Sequence, residues 1–498
     1  MTVMMGMDIG TSGSKGVLVR ADGTLVARAE REHRTDTPRP GWVEHDAEGV
    51  WWADFAALTA ELLAALPDGE RVAAVGLSGI GPCVLPVDAD DRPLRPAILY
   101  GVDTRAGAQI AAQRAAYGDG PVLERCGSPL TSQAVGPKLA WLREEEPEVY
   151  GRARRWFMAG SFLVHRLTGR YVLDHHSASQ CTPLYDLRRG GWIADRCDGI
   201  APGLEWPELL WPGEVVGEVT RQAAELTGLA PGTPVVAGTI DAWAEAVAVG
   251  ATGPGDLMVM YGTTMFLARV MDGPSTPDAR LWTTRGAFPG TYCLAAGMAT
   301  SGAVTGWLRE LTGGDWATLV REAAAVAPGA EGLVTLPYFA GERTPLFDPD
   351  ARGLVAGLTL RHGRGHLYRS ALEGTAFGVR HNLEVMTEAA GVPARRLVAV
   401  GGGARELWTR IVSDVTGHAQ EVPRHTIGAA YGDAFLAAVG VGAAAPGDIA
   451  GWNPVVRTVE PDQATAAVYD RLYGLYRGLY PATREAAHAL AALQRGEW

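Results

Sequence analysis

The sequence predicts an α/β protein in which mixed sheets are layered against helices, and two observations carry that prediction. A strand, glycine turn, strand pattern occurs twice, about half a chain apart. The stretches between the two carry apolar residues at helical spacing. The first pattern covers residues 5–19 and turns at Gly10-Thr-Ser-Gly13, after which Asp22-Gly23 leads into a third strand over 24–28. Asp-Gly turns between alternating apolar runs are hairpin signals, so this segment reads as an antiparallel meander. The second covers 256–270 and turns at Gly262-Thr-Thr264. Two such meanders suggest an internally duplicated protein with one opening each half; two unrelated hairpins would give the same local pattern.

The remaining elements follow in order. Val50, Trp51, Phe55, Leu58, Leu62 and Leu63 predict a helix over 48–66, ended by Pro67. Residues 72–77 read as a strand, and 138–145 as a helix stopped before Pro147. In the second half, 301–311, 366–390 and 406–416 read as helices. A buried strand at 397–400 runs into Gly401-Gly-Gly403, and 427–439 reads as a helix of small residues. No low-complexity linker interrupts the chain. The boundary is expected within 248–254, giving domains of 1–248 and 249–498.

Charge excludes several classes of partner. Lys+Arg 44 against Asp+Glu 56 leaves a net charge of −12 over 498 residues, with no basic run. Nucleic acid and anionic membrane surfaces are therefore not expected as partners. Lysine occurs only at Lys15 and Lys138, after Ser14 and Pro137, so the G-K-[ST] of a Walker phosphate loop is absent. The five cysteines are scattered and form no C-x-x-C, which fits a reducing compartment. The first ten residues meet Asp8 without a basic region, and the apolar stretch 234–250 carries Asp241 and Glu245 and is too short to span a bilayer. A cytoplasmic protein without a membrane segment is the expectation.

A glycine turn between strands lets backbone N–H groups converge on a phosphate. Thr11, Ser12, Ser14, Thr263 and Thr264 add hydroxyl donors to the two turns. Asp8 ends the first strand beside that position, and a carboxylate there would repel phosphate unless a divalent cation lay between them. Asp8 therefore implies Mg²⁺. Ordinary hairpins, with Asp8 capping one, are the competing account of each turn taken alone.

Taken in order along the chain, the motifs resemble the FGGY carbohydrate kinases of the actin-like ATPase superfamily. Asp8-Ile-Gly-Thr-Ser-Gly-Ser-Lys15 resembles their first phosphate motif, and Pro40-Gly-Trp-Val-Glu-His-Asp46 with Trp51-Trp52 their early tryptophan segment. Gly76-Leu-Ser-Gly79, the run 97–105, Pro137-Lys-Leu-Ala-Trp-Leu142 and Arg166-Leu-Thr-Gly169 follow. Ala237-Gly-Thr-Ile-Asp241 resembles the segment of the catalytic aspartate, and Tyr261-Gly-Thr-Thr264 the second phosphate motif. Gly341-Glu-Arg-Thr-Pro345, the run 353–357, His366–Glu373 and Gly401-Gly-Gly-Ala404 with Trp408 complete the series. Within the family the chain is most similar to xylulokinases. It departs from them in the substrate loop Ile80-Gly-Pro-Cys83, at Ala242 after Asp241, at Leu346 and at Val135.

The resemblance implies two ribonuclease-H-like domains, each a mixed five-stranded sheet flanked by helices, with a cleft between them. It implies ATP-dependent phosphorylation of a sugar hydroxyl, most simply on D-xylulose, with ribulose, erythritol or gluconate as alternative acceptors. A non-catalytic actin-like ATP switch is the reading from another class. Asp241 is implied as general base, and Asp8 as the Mg²⁺ residue, acting through water. Gly10, Thr11, Ser12, Lys15, Gly262, Thr263, Thr264, Gly302, Gly306, Gly402, Gly403 and Ala404 are implied to bind ATP. Lys15 also reads as a solvated strand lysine, and the glycines as helix-packing positions. Gly79, Ile80, Gly81, Pro82, Asp103 and Asp241 are implied to meet the sugar, a small-molecule partner, and Trp42 or Tyr100 to offer it a flat face; core packing is the competing role for these aromatics. Glu342 and Arg343 read as an ion pair bracing their loop. The resemblance is also compatible with a homodimer.

Overall fold

Strands Thr2–Ile9, Gly13–Arg20 and Leu25–Glu32 form the antiparallel meander that the first turn signals predict. Thr2–Ile9 also pairs in parallel with Arg71–Gly79, which in turn pairs in parallel with Pro234–Val236 and Thr239–Ile240. Val215–Glu218 adds an antiparallel edge. This sheet has seven strands where five were expected. The difference has two causes: the added edge, and Gly238, whose φ of +74° breaks one strand into two as it passes 2.1 Å (to an added Cβ) from the Leu77 carbonyl oxygen. No residue with a side chain fits that bulge.

The computed structural model describes residues 2–403 and 406–496 and divides into two compact units. The first contains the residues up to Pro254 together with Val270–Cys293 and Ile427–Pro454; the second contains Gly255–Arg269, Leu294–Thr426 and the residues from Val455 onward. The second sheet repeats the pairing pattern of the first. Asp256–Tyr261 pairs antiparallel with Met265–Met271 and parallel with Arg396–Val400, which pairs parallel with Gln420–Pro423. Val455–Val459 extends that edge antiparallel.

In the first unit the alternation of side chains along Thr2–Ile9 separates two apolar layers. Met5, Met7 and Ile9 join Trp51, Phe55 and Phe162 on one face. Met4 joins Val17, Ala74, Val236 and Ala430 on the other. The second face is where the helix Ala429–Gly440 lies. Gly6 and Gly76 stand in register on neighbouring strands, and a Cβ on either would fall 1.9 Å from the Ala430 oxygen and 2.0 Å from the Asp433 oxygen, respectively. Glycine at both positions gives the helix a smooth bed directly on the sheet. Gly432 in turn brings this helix against the helix Asp241–Ala248, since its Cβ would sit 1.9 Å from the Ala244 oxygen.

Helices occur where predicted, with shifted ends. The segment expected as one helix over 48–66 is a π-helical turn, Ala47–Trp52, capped by the Asp46 carboxylate, followed by the α-helix Ala53–Ala64. Val135–Glu145, Gly302–Thr312, Arg364–Ala390 and Glu406–Thr416 match the other readings. Among the described residues no helix is long and apolar enough to cross a membrane. All five cysteines are free and buried.

Candidate active site

The first unit gathers acidic side chains at one end of its sheet. Across the strands Thr239, Ser78, Asp8, Lys15 and Glu30 stand in one register row, so Ser78 and Lys15 flank Asp8 on the same face. Asp8 is nearly buried and Ser78 and Asp433 are fully so. Ser78 Oγ lies 3.2 Å from Asp8 Oδ1 and 2.6 Å from Asp433 Oδ2. Asp433 arrives there because its helix rests on Gly76, two residues before Ser78 on the same face. Asp241 opens its helix, following the strand end at Ile240, and its carboxylate accepts the Ala242 N–H at 2.7 Å. It thus serves the helix N-terminus while lying close enough to Asp8 to sense its charge.

Burial and mutual repulsion raise the pKa values of the whole group. Burial pushes Asp8 up to about 6 against the opposing pull of Ser78 and Lys15. Burial and then the charge on Asp8 hold Asp241 and Asp433 well above the ordinary carboxylate range. The same two causes push Glu245, one turn along from Asp241, up to about 7. Carboxyl groups this crowded favour a proton or a cation among them.

The turn at 10–12 is pinned from behind. His33 Nε2 donates to the Gly10 oxygen at 3.0 Å, Thr35 Oγ1 to the Thr11 oxygen at 2.8 Å, and the His33 N–H to the Ser12 oxygen at 3.2 Å. In a trans peptide the N–H points opposite its carbonyl, so the Thr11 and Ser12 N–H groups are turned the other way, outward. His33 Nδ1 sits 2.8 Å from Asp54 Oδ2, which also accepts from Ser14 Oγ at 2.7 Å. His33 thus has an oxygen partner at each ring nitrogen, which fixes the orientation of its ring. The tryptophan segment supports the second pin. Trp51 Nε1 donates to His45 Nδ1 at 3.1 Å, leaving Nε2–H for Thr35 Oγ1 at 3.2 Å. Burial pushes His45 down to about 4, consistent with the neutral ring that this chain of bonds requires.

The second unit contains a cavity of about 360 Å³ lined by Tyr261, Thr263, Gly302, Gly402, Trp408 and others. Trp316 and Tyr368 also line it, and the sequence reading missed both because their approach depends on the folded positions of separate helices. Gly302 is needed by the turn itself: a Cβ there would meet the Gly262 oxygen at 2.6 Å, where the Gly302 N–H already donates at 2.9 Å. Gly403 is tight against Trp408 and Tyr261, at 3.0 and 3.2 Å. Among the described residues nothing lies within 4 Å of a Cβ placed on Gly402, so of these three glycines it alone faces open space. Gly306, expected at this site, does not line the cavity; Thr305 does. Ala404 lies outside the described residues.

Comparison with known proteins agrees with this geometry. The model of the FGGY family of carbohydrate kinases, N-terminal domain, matches residues 3–248, and that of the C-terminal domain matches 257–441. The chain belongs to the FGGY family of carbohydrate kinases. It is similar to the xylulose kinase of Escherichia coli (strain K12), 30% identical over 96% of this chain and 98% of that protein. It is also similar to the gluconokinase of Bacillus subtilis (strain 168), 27% identical over 99% of this chain and 98% of that one. Among solved structures, the xylulose kinase from Rhodospirillum rubrum shares the fold with a TM-score of 0.90 and 34% identity, over 98% of this chain and all of that one. The chain is thus an ATP-dependent sugar kinase with a two-domain α/β fold.

In this FGGY kinase Gly79 ends the central strand Arg71–Gly79, and Ile80, Gly81 and Pro82, expected as the substrate loop, follow it directly. A Cβ on Gly81 would lie 2.7 Å from the Ile240 side chain, so the loop runs against the residue preceding Asp241. Ile80 and Cys83 are buried, and the Cys83 thiol donates to the Ile80 oxygen at 3.3 Å. The loop therefore offers backbone groups and no polar side chain. Lys138 is buried nearby, donates to the Ser132 oxygen at 2.5 Å, and is pushed down to about 8 by burial.

Asp103 does not fit the sugar-binding role expected of it. Its carboxylate is taken up by the Arg105 guanidinium, at 2.7 Å to Nη2, and by the Val43 N–H, also at 2.7 Å. Arg105 in turn stacks over Trp42 at 4.0 Å, so that ring face is covered. Tyr100 instead reaches the turn at 10–12, 3.4 Å from Thr11 Oγ1. Glu342 braces its loop through the backbone, accepting the Ala299 and Arg343 N–H groups at 2.8 and 2.7 Å.

Proposed function

We propose that this kinase transfers the γ-phosphoryl group of ATP to a hydroxyl of a ketopentose, most simply D-xylulose, with Asp241 as general base and Mg²⁺ held through Asp8. The observation that carries this reading is the placement of Asp241. It stands at a helix N-terminus, next to the substrate loop and within the electrostatic reach of Asp8.

An alcohol is too weak an acid to ionise beforehand, so Asp241 would accept the hydroxyl proton as the O–P bond forms. The helix N-terminus orients its carboxylate through the Ala242 N–H. The Thr11 and Ser12 N–H groups would receive phosphate oxygens on the first unit. The cavity bounded by Gly402 and Trp408 would take the adenosine on the second, with the open space at Gly402 admitting a flat ring system.

The donor chemistry of the first unit fits a hard divalent cation, because Asp8 is crowded by three other carboxyl groups. Among the described residues no three His, Cys, Asp or Glu side chains converge on one metal position. The coordination would therefore be completed by water and by phosphate oxygens. When bound, the cation neutralises charge on the phosphates. Neutralising Asp8 in the same way would remove a like charge that now holds the Asp241 pKa up.

A second reading is supported by the substrate loop. Its lack of polar side chains and the alanine after Asp241 favour an acceptor other than D-xylulose, such as ribulose, erythritol or gluconate. Coupled ADP release across about twenty ketoses, polyols and aldonates decides between them. A kcat/KM for D-xylulose at least tenfold above all others supports the first reading. Preference for ribulose, an aldonate or a polyol supports the second, and ATP binding without turnover on any acceptor contradicts both.

A further inference from the structure

We propose that Asp433 is a positioning residue for the phosphoryl transfer, acting through the Ser78 hydroxyl to hold Asp8 Oδ1 so that Oδ2 stays directed at the cation. The inference rests on the reading of Asp8 given above.

Three oxygens meet in the buried core of the first unit: Asp433 Oδ2, Ser78 Oγ and Asp8 Oδ1, at 2.6 and 3.2 Å in sequence. Ser78 owns a single hydroxyl hydrogen. If both carboxyls were ionised, one of the two contacts would be lone pair against lone pair. Two hydrogens satisfy both contacts when Asp433 carries a proton and donates it to Ser78 Oγ, which donates its own to Asp8. The other Asp433 oxygen, Oδ1, is buried without a hydrogen-bond partner among the described residues, and Asp433 itself is wholly inaccessible. An ionised carboxylate left that way would be severely destabilised, whereas the neutral acid is tolerated. Burial and the charge on Asp8 act in the same direction.

The order of the chain makes the arrangement a specific one. Asp433 comes from the helix Ala429–Gly440, which reaches Ser78 only because Gly6 and Gly76 let it lie on the sheet. Asp8 and Ser78 are register partners on adjacent parallel strands, so their side chains lean to the same face. Outer partners that orient a metal-binding carboxylate typically account for about 10–100-fold in metal affinity.

The test measures Mn²⁺ binding in the presence of ADP, by electron paramagnetic resonance, in the full-length protein and its variants. Asp433→Ala and Ser78→Ala should each weaken Mn²⁺ binding about tenfold, and the double variant should lose little more. Asp433→Asn, whose amide donates to Ser78 Oγ, should stay within about threefold of wild type. Thermal melting of each variant separates loss of the site from loss of the fold. Variants that melt like wild type and bind Mn²⁺ unchanged would overturn the proposal, as would an Asn variant as weak as the Ala one. Wild-type protein that binds no Mn²⁺ with ADP would instead sink the cation reading of Asp8.

Discussion

Gly76 passes so close to Asp433 that a Cβ on the glycine would fall 2.0 Å from the aspartate's carbonyl oxygen. A central strand and a helix more than three hundred residues later are thereby in backbone contact, and the carboxyl group of that helix reaches the site. Gly76→Ala should cost about 3 kcal/mol or more, because the obstruction is backbone that cannot rotate away. Thermal melting checks this against Gly107→Ala, where the added methyl meets nothing within 4 Å and should be neutral or slightly stabilising. Equal melting temperatures for the two variants would contradict the packing account.

If the turn at 10–12 receives phosphate as proposed, the pins behind it predict a kinetic phenotype away from the sugar. His33→Ala removes the bonds to the Gly10 oxygen and to Asp54, and should raise KM for ATP about tenfold. Thr35→Val, which removes one bond to the Thr11 oxygen, should raise it about threefold. Steady-state kinetics at saturating sugar measure both. A change confined to the sugar KM would contradict the assigned role.

The carboxyl cluster makes stability depend on pH with a definite sign. Asp8 and Glu245 have folded-state pKa values raised to about 6 and about 7, so the folded protein binds protons more tightly than the unfolded chain. Their contribution is fully present below about pH 4 and is lost as pH rises through about 6 to 7. The metal-free Asp8→Asn variant should therefore melt progressively higher than wild type as pH rises across that window. Scanning calorimetry in EDTA checks it; a variant that loses ground to wild type with rising pH would contradict the charge assignment.

Two neighbouring glycine positions of the second unit should respond in opposite ways. Gly302→Ala meets backbone at 2.6 Å and should destabilise the fold. Gly402→Val enters open space, and should leave melting nearly unchanged while weakening binding of a fluorescent ATP analogue at least tenfold. Fluorescence titration with parallel melting curves separates the two. Normal nucleotide affinity in Gly402→Val would move the adenosine elsewhere.

The parts of this structure legible in the sequence are those with short-range causes. Asp22-Gly23 closes a hairpin locally, and the spacing of Phe55, Leu58 and Leu62 marks one buried helix face. Asp8 is likewise marked by the glycine turn that follows it, and Asp241 by the resemblance of its segment to a family motif. Asp433 was not, because its importance depends on the helix Ala429–Gly440 returning to a sheet whose central strand ends at Gly79. Nothing within the helix's own small-residue pattern states where it docks. Asp103 illustrates the opposite case: a polar residue expected at the sugar looks available until Arg105 and the Val43 N–H are seen to occupy it. The backs of the turns, where His33, Thr35, His45 and Trp51 connect, involve residues whose partners are fixed only by folding.

The most direct measurement compares turnover and nucleotide binding in Asp241→Asn, which keeps the volume and the helix position but removes the base. The account predicts a kcat lowered by about a thousandfold or more, with Mg²⁺·ADP affinity by calorimetry within about threefold of wild type. A variant retaining more than about a tenth of wild-type kcat would take Asp241 out of the proton transfer and contradict the account.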